Sequence, residues 1–265
     1  MIPMSELRGQ LVGYLKELHL PTVRACFEEM ALKAQQESLG YEHYLLEVAA
    51  RECEVRRDKR IQKLLRESQL PLEKSLEEFD LNRLPRKVVN QIQTLRTGSF
   101  LARAENVLVF GNPGSGKTHL VCALGQELVR NGHRVYFGHC NLLVQELLRA
   151  KQELKLSRWL KKLSKCAAVI LDDIGYVQQS REEMEVLFTL LAERYERGSV
   201  IITSNLPFSK WETIFKDPMT TAAAIDRLVH HCVILELNIP SYRMEQAKRS
   251  QECASKPRPE ESSCR

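Results

Sequence analysis

Eight consecutive residues, Gly111-Asn112-Pro113-Gly114-Ser115-Gly116-Lys117-Thr118, fit G-x-x-x-x-G-K-[ST], a loop that cradles phosphates. Glycines let successive backbone N–H groups point inward at phosphate oxygens, and a following helix adds the positive end of its dipole. In such a loop Lys117 reaches the outer phosphates and the Thr118 hydroxyl is a ligand for Mg²⁺. Further on, Ala167-Ala168-Val169-Ile170-Leu171 runs into two carboxylates, Asp172 and Asp173. Asp172 is placed to hold Mg²⁺ directly or through water, because that ion takes few carboxylates and keeps several waters. Asp173 is the candidate that orients or deprotonates a water attacking the terminal phosphate. A third polar end, Thr203-Ser204-Asn205, closes the apolar run Ser199–Ile202. Asn205 suits a hydrogen bond to that water or to the γ-phosphate; Ser204-Asn205-Leu206-Pro207 also reads as a plain turn before proline.

These residues need a scaffold that brings separate strand ends to one edge. Val107-Leu108-Val109-Phe110 leads into the loop as a buried strand, and Leu120, Val121, Leu124 and Leu128 lead out at helical spacing. From 106 onward strand and helix patterns alternate. Strands are expected at 106–110, 134–139, 167–173, 199–204 and 232–237, with helices at 117–131, 141–152, 157–165, 181–197, 208–215 and 221–230. That alternation predicts an α/β fold with a five-stranded parallel sheet, whose ligands sit at the carboxyl ends of its strands. Residues 1–68 show only helical periodicity and are expected as a small N-terminal helical domain. The charge run Arg56-Arg57-Asp58-Lys59-Arg60 within it is either a solvated helix face or a contact for DNA or a partner. Residues 69–105 connect the two parts, with Pro71 and Pro85 bracketing a short segment and one helix over 86–104. Leu72, Leu76, Phe79 and Leu81 would either cover a bound base or simply pack the connector. The nucleotide-binding domain is expected over 106–245, and 246–265, rich in Pro, Glu and Ser, as a disordered tail.

Composition narrows the class. No apolar run reaches the length of a membrane helix, and the first ten residues lack the apolar core of a secretory signal. Eight cysteines form no C-x-x-C pair and mostly sit within apolar patterns, which points to a reducing cytoplasm and no disulfide framework. His139-Cys140 and His230-His231-Cys232 lack zinc-ligand spacing. The net charge of +5 is uneven: residues 1–80 carry 12 basic and 15 acidic side chains, residues 81–265 carry 27 and 19. The nucleotide-binding part is the basic one. Its clearest cluster is Arg149, Lys151, Lys155, Arg158, Lys161, Lys162 and Lys165, between the second and third strands. Such a helix pair is a solvated amphipathic face or a track for the DNA backbone that reads no sequence. Trp159 within it is expected in the core.

Phosphate loop, carboxylate pair and polar strand end, in this order, resemble AAA+ ATPases. Leu171-Asp172-Asp173-Ile174-Gly175-Tyr176, Ile202-Thr203-Ser204-Asn205-Leu206-Pro207, Ile225-Asp226-Arg227-Leu228, Glu77-Glu78-Phe79-Asp80 and Ser241-Tyr242-Arg243 are similar to the IstB/DnaC branch, in particular the IstB-like helpers of insertion-sequence transposition. The resemblance implies ATP and Mg²⁺ as ligands and a ring- or spiral-forming ATPase with nucleotide between neighbouring subunits. It also implies duplex DNA and a transposase as partners. A DnaC-like helicase loader on single-stranded DNA stays open beside it, as does an ATP-binding scaffold that hardly hydrolyses. By the same resemblance Arg227 is the arginine presented to a neighbour's γ-phosphate; within one chain it would instead pair with Asp226 or Glu236, and Arg194 and Arg197 are rivals. Two departures stand out. The chain has no room after 237 for the full helical lid of many AAA+ proteins, which puts a sensor role for Arg243 in doubt. Asp173 stands where many have glutamate, and the shorter reach implies slow hydrolysis, below roughly 10 s⁻¹.

Overall fold

Five apolar runs become five parallel strands: β1 (Asn106–Gly111), β2 (Val135–His139), β3 (Ala168–Ile174), β4 (Ser199–Ser204) and β5 (Cys232–Leu237). They lie in the order β2-β3-β4-β1-β5. The computed structural model of the chain describes residues 3–175, 180–211, 218–242 and 244–245. The central strands are buried on both faces, as a parallel sheet covered by helices requires. The edge strand β5 alternates instead, with Leu235 and Leu237 buried and Ile234 and Glu236 exposed. One sheet face packs on α4 (Arg86–Arg96) and α5 (Lys117–Arg130) through Ile92, Leu95, Leu120, Leu124 and Leu128. The other packs on α6 (Cys140–Gln152), α8 (Arg181–Arg194) and α9 (Pro218–Val229) through Leu143, Leu147, Leu187, Leu190 and Ala224. Between α6 and β3 lies α7 (Leu156–Leu163).

The chain forms two compact units, Met1–Lys63 and Leu64–Arg265. The first holds α1 (Met4–Glu17), α2 (Pro21–Gln36) and most of α3 (Tyr41–Ser68). Glu52 of α3 ties it together. Its buried carboxylate accepts the Thr22 and Val23 amides at the start of α2, at 2.8 and 3.0 Å, and the Arg56 guanidinium at 2.7 Å. Arg56 also donates to the His19 carbonyl. The first member of the Arg56–Arg60 run is thus a structural clamp, while Arg57, Lys59 and Arg60 are exposed. Of the helically spaced residues Leu7, Leu11, Tyr14, Leu15 and Leu18, Leu15 is buried and the other four are exposed. Periodicity foretold the helix but not which face it buries.

Residues 69–84 pack within the second unit, where Leu70, Leu76 and Leu84 are buried. The Gln126 amide of α5 donates to the carbonyls of Pro71, Leu72 and Lys74, which pins the segment to the sheet's covering helix. The helix expected over 86–104 stops at Arg96. Gly98, at φ 74°, breaks it, and a 3-10 turn over Ser99–Arg103 follows. Similarly α8 ends at Arg194, because Glu196 takes a left-handed turn at φ 57°. The helix expected over 208–215 is a 3-10 turn at Phe208–Lys210, its remainder lying mostly outside the described residues, as do the expected tail over 246–265, Tyr176 and Arg243. Cys26, Cys53, Cys122, Cys140, Cys166 and Cys232 are free thiols, and burial pushes Cys122 up to about 12. No helix among the described residues is long and apolar enough to cross a membrane.

Candidate nucleotide site and basic groove

The loop between β1 and α5 has the shape that its glycines permit. Gly116, the residue before α5, sits at φ 93°, a conformation that L side chains rarely adopt. A Cβ there would also lie 3.0 Å from the Phe79 ring. Gly111, Asn112 and Pro113 rim the loop, and Ser115 is buried with its hydroxyl unpartnered. Lys117 is buried, and its ammonium donates to the carbonyls of Gly111 and Asn112 at 2.8 and 3.0 Å. The cation that should meet phosphate is therefore folded back on its own loop, and must exchange these carbonyls for phosphate oxygens.

The two carboxylates stand at the carboxyl end of β3, beside that loop. Asp172 is 1% exposed, and the Thr118 hydroxyl lies 3.0 and 3.1 Å from its two oxygens. The Thr203 hydroxyl of β4 donates to Oδ1 at 2.7 Å, and His139 Nδ1 at the end of β2 lies 3.3 Å from Oδ2. A hydroxyl and a carboxylate already in contact form a hard-oxygen pair of the kind Mg²⁺ takes when phosphates and water complete its shell. The residues present fit that ion. Asp173 has φ 62°, and the β3–β4 register shifts between Leu171 and Ile174. The bulge re-aims its side chain. Asp173 and Asn205 line one cleft of about 490 Å³ with loop residues 113–119. Asn205 Oδ1 is buried there without a hydrogen-bond partner, an orphan polar atom at the place where a water or phosphate would satisfy it.

The opposite wall comes from residues on either side of the sheet domain in sequence. Lys74, Glu78, Phe79, Asp80 and Arg83 line it from the segment before α4, and Ile239 and Tyr242 from beyond β5. Phe79 stacks edge-on against His119, whose Nε2 lies 2.7 Å from the Ser75 carbonyl. Of the four apolar residues considered as base cover, Phe79 alone lines the cleft; Leu76 and Leu81 pack inward and Leu72 is exposed. Arg83 joins the two wall segments. It donates to the Pro240 carbonyl at 3.1 Å and to Glu245 at 2.9 Å, and it lies 5.2 Å from the Tyr242 ring centroid. The Tyr242 amide in turn donates to the Gly114 carbonyl at 3.0 Å.

The three candidate arginines separate cleanly. Arg194 is buried, and its guanidinium donates to the carbonyls of Leu163, Cys166, Ala167 and Ser199, with burial pushing its pKa down to about 10. It is a structural cap and no finger. Arg197 is exposed and lies 3.4 Å from Glu193. Arg227 pairs with neither Asp226 nor Glu236 in any hydrogen bond or ion pair of the structure. Its guanidinium stacks 4.6 Å from the Phe188 ring centroid, and Nη1 is buried without a partner. The carbonyl of the next residue, Leu228, accepts from Asn106 at the amino end of β1, which places Arg227 at the opposite end of the sheet from its own phosphate loop.

The basic residues between β2 and β3 line a second recess of about 850 Å³. Lys155, Arg158, Lys161, Lys162 and Lys165 belong to it, and the fold adds Arg66 and Arg134, which the sequence pattern did not single out. Glu67 is its acid, 3.3 Å from Arg134. Arg149 and Lys151 do not line it, and Lys151 is engaged by Glu185 at 2.8 Å. Trp159 is half-buried: one side packs on the core and Lys162 lies 4.5 Å over its ring.

The sequence pattern of the family described as IstB-like ATP binding protein matches residues 13–250. An insertion-sequence ATP-binding protein of Sinorhizobium fredii is 41% identical over 244 residues, 92% of this chain and 82% of the relative. The ATP-binding protein of insertion sequence IS21 from Pseudomonas aeruginosa is 39% identical over 244 residues, 91% of each chain. Among solved structures, the DnaC helicase loader superposes with a TM-score of 0.55 at 20% identity, covering 64% of this chain and 98% of the loader. At that identity the likeness concerns the fold alone.

Proposed function

This chain belongs to the IstB-like ATP-binding protein family, and from that premise we propose that it is an ATP-hydrolysing, DNA-binding regulator of insertion-sequence transposition. ATP lies in the cleft of loop 111–118, with its phosphates on the loop amides and Lys117. What Mg²⁺ supplies there, with Thr118 and Asp172 as its protein ligands, is neutralisation of charge on the phosphate oxygens. Asp173 accepts a proton from the attacking water, and Asn205 orients that water or the γ-phosphate. Arg227 acts on a neighbouring subunit's nucleotide, so ATP favours self-assembly and hydrolysis releases it. Duplex DNA runs along the basic recess by phosphate contacts without sequence preference, and a transposase is the protein partner.

The observation that carries this reading is the convergence of Thr118 from the start of α5, Asp173 from the end of β3 and Asn205 from beyond β4 on one cleft, with Asp172 in contact with the Thr118 hydroxyl. The test is ATP turnover and sedimentation of purified protein with Mg²⁺-ATP and duplex DNA. Slow turnover, with growth in mass on DNA only when ATP is present, is expected, and Asp173→Asn should keep assembly and lose turnover. Protein that neither takes up ATP nor grows in mass on DNA would sink the proposal. Preference for single-stranded DNA would favour a helicase-loader role.

A further inference from the structure

We infer that Thr203, a residue with no assigned role, is a positioning residue for ATP hydrolysis: its hydroxyl sets the backbone twist that turns Asp173 toward the nucleotide. The inference rests on the reading of Asp172 and Asp173 given above. Successive side chains of a regular strand point to opposite faces, so an unbroken β3 would aim Asp172 and Asp173 apart. The chain avoids this with the bulge between Leu171 and Ile174 and a left-handed Asp173 at φ 62°. That conformation is uncommon outside glycine, although aspartate tolerates it better than most residues. Something must hold it against the regular ladder.

Thr203 is fully buried on the neighbouring strand and supplies that hold. Its hydroxyl accepts the Asp173 amide at 2.8 Å, a donor the bulge has removed from the regular β3–β4 pairing. The same hydroxyl donates to Asp172 Oδ1 at 2.7 Å. One O–H can do both, because donating its proton leaves its lone pairs for the amide. A single side chain therefore fixes the carboxylate that contacts Thr118 and the backbone of the carboxylate that faces the water. Valine has nearly the same shape and can do neither; serine can do both.

The test compares Thr203→Val and Thr203→Ser with wild type. Valine should lower turnover by about 10²-fold, the scale of a misplacement of about 1 Å at a reacting group. Affinity for a non-hydrolysable ATP analogue, measured without Mg²⁺ so that Asp172 does not enter it, should stay near wild type, and serine should recover most of the turnover. Crystals of Thr203→Val should show Asp173 moved to negative φ. Should valine not fold, cysteine replaces it, since a thiol is a weak donor and acceptor. Turnover near wild type, equal losses in turnover and affinity, or serine as slow as valine would each overturn the inference. So would Asp173 still left-handed in an intact bulge, and that observation is readable even if wild type hydrolyses no ATP, a result that would sink the proposed function itself.

Discussion

Removing the Arg227 guanidinium tests whether the active site is shared between subunits. The carbonyls of Arg227 and Leu228 lie 3.5 and 3.1 Å from Asn106 Nδ2, at the first residue of β1, while the phosphate loop begins at Gly111, the last. Five steps of about 3.3 Å along this six-residue strand put about 16 Å between the two ends, farther than an arginine side chain reaches. Arg227 cannot serve its own nucleotide. Its stack on Phe188 is an interaction of about 1 kcal/mol, weak enough to be exchanged for a γ-phosphate. Arg227→Ala should therefore leave affinity for an ATP analogue intact in the isolated chain and lower turnover by about 10³-fold, the lower end for an arginine finger. Lys117→Ala should fail at its own loop yet still present Arg227. In a 1:1 mixture half the sites have an intact loop, and half of those face an intact arginine. Steady-state phosphate release should then recover to about a quarter of wild type, as expected for head-to-tail contacts between identical chains. A mixture no more active than its two components, with both shown by differential tags to share assemblies, would refute the argument. Arg227→Ala turnover within twofold of wild type would do the same.

Gly116→Ala places a side chain at φ 93° and a Cβ 3.0 Å from Phe79, so the backbone alone should cost about 1–2 kcal/mol. Titration with a fluorescent ATP analogue should show roughly tenfold weaker binding or more, and adding Phe79→Ala should relieve only part of the loss. In the basic groove, Arg158→Ala, Lys161→Ala and Lys165→Ala together should weaken duplex binding equally for unrelated sequences. They should also flatten the log–log salt slope by about 3, read by anisotropy across salt concentrations. Glu52→Gln tests the helical unit. Burial pushes the Glu52 carboxyl up, but the Val23 amide, Arg56 and the Thr22 amide together outweigh it, so its pKa lies below the ordinary 4.5. A depressed carboxylate stabilises the fold above its unfolded pKa and loses that contribution as pH falls through the folded one. The variant should melt earlier than wild type at pH 7, and the gap should close below about pH 4; a gap that widens toward acid would contradict the assignment.

The sequence by itself determined the phosphate loop, the five strands and the carboxylate pair. The reason is that each is written locally: a glycine pattern, an apolar run, two adjacent acids. It also singled out Asn205, because a polar end on a buried strand falls where the sheet's ligands bind. Tertiary structure alone decided which partners meet those residues. Thr203 and His139 reach Asp172 across the sheet, and neither a polar strand end nor a His-Cys pair says which carboxylate it will meet. Arg194 looked as available as Arg227, yet four carbonyls, three from the end of α7 and the turn before β3 and one from the start of β4, consume it. Arg66 and Arg134 join the lysines of α7 only because the end of α3 and the start of β2 come together. The left-handed turn at Asp173 was equally invisible, since a bulge arises from pairing with a neighbouring strand rather than from the bulged residues themselves. Local pattern specifies which elements form; hydrogen bonds between residues far apart in the chain specify where their side chains point.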